Sequence, residues 1–306
     1  MTEHPPITTS IVPSTDGVDV VVHDFGGDGP LLVLCHATGF CARVWEPFVE
    51  ALGGRYRCIA PDFRAHGATE LPPGVELVWT GMAADLLAVV DAYRGEAPSD
   101  VSGAARADSS AAEPVLAVGH SMGASAMILA EAARPGTFER AWSFEPILLE
   151  AGPKLVGDDI PEIAVGAGRR RARFESRAEA LERWSARPPL SVLDERALRA
   201  YAEFGLVEHP DGGVELACSP TDEAAVFQHH CNGSFERSGD LRIPFVIGVS
   251  GDEDGPAAWA TSAAIEHPHL ALVSYPDLTH FGPLQEPDRL AVDVGRFLDE
   301  GGTRDS

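Results

Sequence analysis

Apolar residues recur along the chain in two rhythms. Short runs such as VDVVVHDF (18–25), LLVLCH (31–36), RYRCIAPDF (55–63), VLAVGHS (115–121) and RAWSFEPI (140–147) read as strands. Between them, CARVWEPFVEALGG (41–54), GMAADLLAVVDAYRG (81–95) and MGASAMILAEAARPG (122–136) carry apolar residues at helical spacing and end at glycine or Pro-Gly. LLVLCH is continuous rather than alternating, the pattern of a strand covered on both faces. Such strand–helix repetition predicts an α/β fold, a mainly parallel sheet with helices packed against it.

The rhythm lapses over residues 150–237, which read as polar and mostly helical, with expected helices at 168–184, 193–205 and 222–230. It returns with a strand at 243–251, a helix near 256–266, a strand at 270–276 and a last helix at 288–300. The expected division is therefore a core from 1–149, a helical insert from 150–237 and the rest of the core from 238–306. The stretch 96–114, rich in Ser, Ala, Asp and Pro, reads as a solvated surface insertion. No internal repeat is visible.

Composition narrows the picture further. Hydrophobic residues make up 44% of the 306 residues, enough for a sizeable core. The formal charge of -24 opposes binding to a phosphate backbone, so no nucleic-acid partner is expected. No apolar run reaches the roughly 20 residues of a membrane span, and MTEHPPITTS has neither the basic nor the apolar part of a secretory signal. A cytoplasmic protein is the expectation. Five scattered cysteines without a C-x-x-C pair read as reduced, mostly buried thiols.

Chemistry enters at Gly119-His120-Ser121-Met122-Gly123, between a strand and a helix. That context suits a tight turn flanked by small residues that holds a serine above the sheet edge, at a helix N-terminus that favours an anion. A serine alcohol needs a base, and the base needs an acid. His280, in the loop after the last strand, is the expected base. His267 and His269 fall at the wrong end of that strand, and His229 and His230 fall in the insert. Asp254 is favoured as the acid because it lies furthest into the loop GVSGDEDGP (248–256); Asp252 and Glu145 are the alternatives. The oxyanion donors are expected at Met122 and at Thr38, with Ala37 as the alternative to Thr38. His36 is read as bracing its loop. Phe40, Trp184, Phe227 and Phe281 are expected to line an apolar pocket. Arg169, Arg170, Arg171 and Arg173 read as a solvated helix face balancing nearby glutamates, with attraction of an anionic substrate as the sharper reading. His-His-Cys at 229–231 is not expected to bind metal, because adjacent helical side chains diverge.

In this order LCHATGF, DFRAHGAT (62–69), GHSMG, GDED and THFGPLQEP resemble the motifs of the α/β-hydrolase superfamily, over residues about 18 to 300. Ala37 and Ala65 stand where the family pattern has glycine. The resemblance implies an eight-stranded, mostly parallel sheet with helices on both faces and a lid inserted after the sixth strand, which 150–237 fits. Serine at 121 disfavours the epoxide hydrolases and haloalkane dehalogenases of the superfamily, which carry aspartate there. The leading reading is a serine hydrolase for a small, fairly apolar carboxylic ester or related acyl compound. It would need no metal or organic cofactor and no partner beyond that small-molecule substrate. A C–C bond hydrolase or cofactor-free perhydrolase with the same triad is the alternative within the class, and a non-hydrolytic small-ligand receptor the alternative outside it.

Overall fold

A computed structural model describes residues 6–94 and 114–300. The expected surface insertion at 96–114 therefore lies, apart from Pro114, outside the described residues. The chain opens with strands β1 (Thr8–Pro13), β2 (Asp19–Gly26) and β3 (Leu31–Cys35), then helix α1 (Glu46–Leu52), β4 (Arg57–Pro61), α2 (Trp79–Tyr93), β5 (Val115–His120), α3 (Met122–Ala133) and β6 (Arg140–Phe144). A long excursion follows: α4 (Glu162–Gly168), β7 (Arg173–Phe174), α5 (Arg177–Ser185), α6 (Glu195–Phe204), β8 (Leu206–Glu208), β9 (Val214–Leu216), α7 (Pro220–Gln228) and α8 (Ser234–Ser238). The core resumes with β10 (Phe245–Ser250), α9 (Pro256–Glu266), β11 (Ala271–Tyr275), α10 (Gly282–Gln285) and α11 (Pro287–Asp299).

Eight strands form one sheet in the order β1-β2-β4-β3-β5-β6-β10-β11. β2 runs antiparallel to its neighbours β1 and β4; every other pair is parallel. The pleat sorts the side chains. Leu31, Val33 and Cys35 face one core layer with α2 and α3, whereas Leu32 and Leu34 face the other with α1 and α11. Both faces of β3 and β5 are covered, which is why β3 is an uninterrupted apolar run and β5 is one as far as Val118. β1 has no such signal. Only Val12 of its six residues is buried, because it is an edge strand with one neighbour.

The excursion departs from the helical reading in two places. It contains a small antiparallel sheet, β7-β9-β8, whose strands of two or three residues are too short to leave a periodic trace. The helix expected over 168–184 is also two pieces. α4 ends at Gly168, the arginine-rich stretch runs into β7, and α5 starts only after Ser176, whose side chain accepts the Glu179 amide at 3.2 Å. The arginines are therefore not on one solvated helix.

One buried charge pair fixes the loop after β4. Arg64 donates from Nε and Nη2 to both carboxylate oxygens of Asp85 on α2, each at 2.8 Å, with both side chains 0% exposed. Ser14 donates to the same carboxylate at 2.6 Å. A Cβ at Gly81 would stand 2.3 Å from Arg64 Nη1, so glycine is what lets the guanidinium lie against α2. Asp85→Ala would strand the guanidinium without its buried partner. The expected loss is about 3–5 kcal/mol, measured as a lower urea midpoint at unchanged slope. Ala65, next in the loop, holds φ 64°, so the turn keeps the glycine-like geometry despite its Cβ.

Among the described residues no helix is long and apolar enough to cross a membrane. All five cysteines are free, four of them buried and Cys231 half-buried.

Candidate active site

The turn between β5 and α3 gives Ser121 φ 53° and ψ -117°, a region a non-glycine residue enters only at a cost of roughly 1–3 kcal/mol. Its neighbours explain how the turn closes. A Cβ on Gly119 would lie 2.5 Å from Met127 Sδ, and one on Gly123 would lie 2.4 Å from the Cys35 carbonyl oxygen. Both positions are packed against backbone or core and exclude any side chain. The Ser121 amide donates to Phe144 O at 2.9 Å, which ties the turn to the end of β6. Ser121 is 6% exposed, its hydroxyl opening into a cavity rather than to bulk water.

His280 sits in the loop between β11 and α10. Its Nε2 lies 3.1 Å from Ser121 Oγ, and its Nδ1 lies 2.5 Å from Glu145 Oε2. Serine, imidazole and carboxylate thus form one hydrogen-bonded chain drawn from the ends of three strands. The carboxylate is not the one favoured from the sequence. Asp254 and Asp252 are exposed in the loop ahead of α9, and neither hydrogen-bonds to His280. Glu145 takes the place because β6 adjoins β5 in the sheet, so its end lies beside the serine turn. The sequence held a signal for this, since Glu145 directly follows a buried strand end, in WSFEP, where an unpaired carboxylate would be costly.

Glu145 is 1% exposed, held at φ 43°, and its other oxygen accepts the Ser250 amide at 2.7 Å. Burial pushes its pKa up. The hydrogen bond and charge of His280, with the bonds from Ser250, outweigh that and hold the carboxyl below its ordinary value. It is an anion at neutral pH.

His120 supports the arrangement from inside the turn. Burial drives its pKa down to about 3, so the ring is neutral. Its Nε2 lies 2.7 Å from the His280 carbonyl oxygen, which can only accept, so Nε2 carries the proton and donates. The residue before Ser121 therefore holds the main chain of His280. His36 braces the facing loop in the way expected. Its Nδ1–H donates to Ala37 O at 2.9 Å, and its Nε2 accepts the Phe63 amide at 3.1 Å.

The Met122 and Thr38 amides are the expected oxyanion donors. Met122 is the first residue of α3, so its N–H has no partner within the helix. The Thr38 amide, in the loop after β3, is not taken by another backbone group among the described residues. Thr38 Oγ1 is also buried without a hydrogen-bond partner. Thr38 and its neighbour Ala37 line the cavity with Ser121 and His280. So do Phe40, Trp184, Phe227 and Phe281. The cavity is about 910 Å³.

The cavity wall contains a network absent from the sequence reading. Arg170 donates to Glu223 Oε2 at 2.5 Å and to Tyr201 Oη at 3.0 Å, and Tyr201 donates to the Gly39 carbonyl at 2.9 Å. Gly39 has φ +79°, and a Cβ there would meet Glu223 Oε1 at 2.9 Å and Arg170 Nη1 at 3.1 Å. Rather than standing free on a helix face, Arg170 holds Tyr201, whose hydroxyl ties the excursion to the loop that carries Thr38.

This sheet, with a sharp serine turn after β5 and an imidazole and a carboxylate brought to it, defines an α/β-hydrolase fold. The chain belongs to the alpha/beta hydrolase family, whose model matches residues 32–294. It is 35% identical over 104 residues to protein phosphatase methylesterase 1 of Rattus norvegicus, a match covering 33% of this chain and 23% of that protein. The chain thus spans about a quarter of the length of the curated relatives it matches first. Among solved structures it is similar to E-2-(acetamidomethylene)succinate hydrolase, with a TM-score of 0.75 and 21% identity over 96% of this chain and 100% of that one. It is also similar to the esterase RhEst1 from Rhodococcus sp. ECU1013, with a TM-score of 0.68 and 21% identity over 95% and 98% of the two chains. At these identities the two structures speak for the fold.

Proposed function

We propose that the protein hydrolyses small, fairly apolar carboxylic esters through a Ser121–His280–Glu145 triad and an acyl-enzyme. The observation that carries this reading is the 3.1 Å contact of Ser121 Oγ with His280 Nε2, continued at 2.5 Å from Nδ1 to Glu145. His280 takes the hydroxyl proton as Oγ attacks the ester carbonyl carbon. Glu145 keeps the Nδ1–H tautomer and offsets the imidazolium charge. The carbonyl oxygen gains negative charge facing the Met122 and Thr38 amides, at the positive end of α3. His280 then protonates the departing alcohol, and the same imidazole activates water to release the acid.

Residues 150–237 act as a cap on this site. Trp184 and Phe227 from the excursion meet Phe40 and Phe281 from the core around one cavity, which favours apolar carbons next to the scissile bond. A fluorophosphonate probe is expected to label the protein at Ser121 within minutes. A panel of 4-nitrophenyl esters of rising acyl length is expected to show an optimum set by that cavity. A protein that neither labels nor turns over any ester of the panel, yet binds a small apolar ligand tightly, would replace this reading with a receptor.

A further inference from the structure

Four arginines line the cavity, Arg170, Arg171, Arg183 and Arg187, against one carboxylate, Glu223, among the described residues. This is a positive site in a chain of net charge -24. Two of the four are already neutralised. Arg170 is paired with Glu223, and Arg171 with Glu179 at 2.7 Å. The guanidinium groups of Arg183 and Arg187 form no ion pair or hydrogen bond with another described residue, although Arg183 feels the charge of Glu179 on its own helix. Both side chains are exposed yet line the same cavity as Ser121, so they stand at its mouth. A cation in the last turn of α5 suits the helix dipole, but that does not require a second one beyond the helix end facing the same space.

Resting on the ester-hydrolase reading, we infer that the substrate carries a carboxylate on the arm remote from its scissile bond, and that Arg183 and Arg187 bind it. Guanidinium is the cation best shaped for a carboxylate, which it can grip through two parallel N–H donors. The apolar wall between these arginines and Ser121 then takes the connecting carbons. The net negative charge of the chain opposes the approach of such a substrate, and the arginines at the mouth offset that repulsion where it enters.

The test uses two pairs of esters, each rate divided by that ester's rate with hydroxide. In one pair a 4-nitrophenyl adipate monoester is compared with its terminal amide. In the other, 4-carboxyphenyl hexanoate is compared with 4-carbamoylphenyl hexanoate. The wild-type enzyme is expected to favour the carboxylate at least tenfold in kcat/KM in one pair, mainly through KM, with the preference shrinking in 0.5 M salt. Arg183→Gln/Arg187→Gln is expected to bring that ratio near one. Arg242→Gln removes a positive charge ahead of β10, at the opposite end of the sheet from the serine, and is expected to keep the ratio. A ratio under tenfold in both pairs overturns the inference, as does one that survives the double variant or falls equally in Arg242→Gln. Turnover of the neutral amides by the wild-type enzyme tests the hydrolase reading separately, so a failure of either idea is recognisable.

Discussion

Ser121→Ala is expected to lower ester turnover by about 10⁶-fold, the loss typical when a triad nucleophile is removed. The residual rate would come from the amides of Met122 and Thr38 acting on the bound ester. Alanine occupies the same strained backbone position as serine, so circular dichroism and the urea midpoint are expected to stay close to those of the wild type. Fluorophosphonate labelling should vanish together with turnover. An alanine variant that retains a substantial fraction of turnover would mean that another group attacks the ester, and the triad reading would fall with it.

The second large effect separates two carboxylates. Glu145→Gln is expected to lower kcat by about 10⁴-fold, because an uncharged amide can neither offset the imidazolium nor enforce the Nδ1–H tautomer. Asp254→Asn is expected to change turnover less than about twofold, in line with small effects at exposed sites. The reverse ranking would return the acid to the loop after β10. A stability measurement gives an independent handle. The pKa of Glu145 is lowered in the fold, so its carboxylate adds stability above the unfolded value of roughly 4.3. That contribution disappears as pH falls through the folded value. Between pH 7 and pH 3 the wild type should therefore lose more stability than Glu145→Gln, read from urea midpoints at each pH.

The contrast between these residues marks how far the sequence could be read. Strands buried on both faces announce themselves, since β3 is apolar throughout and β5 is apolar up to the Gly119-His120 that opens its turn, and the turn at Ser121 is legible because only glycine fits at 119 and 123. His280 could be found by its place after the last strand. The carboxylate that pairs with His280 depends instead on which strand lies next to β5. Sheet order is a long-range property, and chain order alone left Glu145 and Asp254 as rivals. β1 and the strands of the small sheet escaped notice for a different reason. An exposed edge or a two-residue ladder has little burial to impose on composition. The arginine cluster departs from its expected helix because intrinsic propensity favours one helix through 168–184, whereas Gly168 ends the first piece and Ser176 starts the second.

The hydrogen bonds from Arg170 through Tyr201 to the Gly39 carbonyl bear on how such enzymes can be re-engineered. Residues 150–237 cannot be swapped for a relative's as an interchangeable module, because their anchor grips the loop beside the reaction centre. A chimera that alters Tyr201 or Glu223 would slacken that loop, so its defect should surface as slower chemistry rather than altered substrate choice.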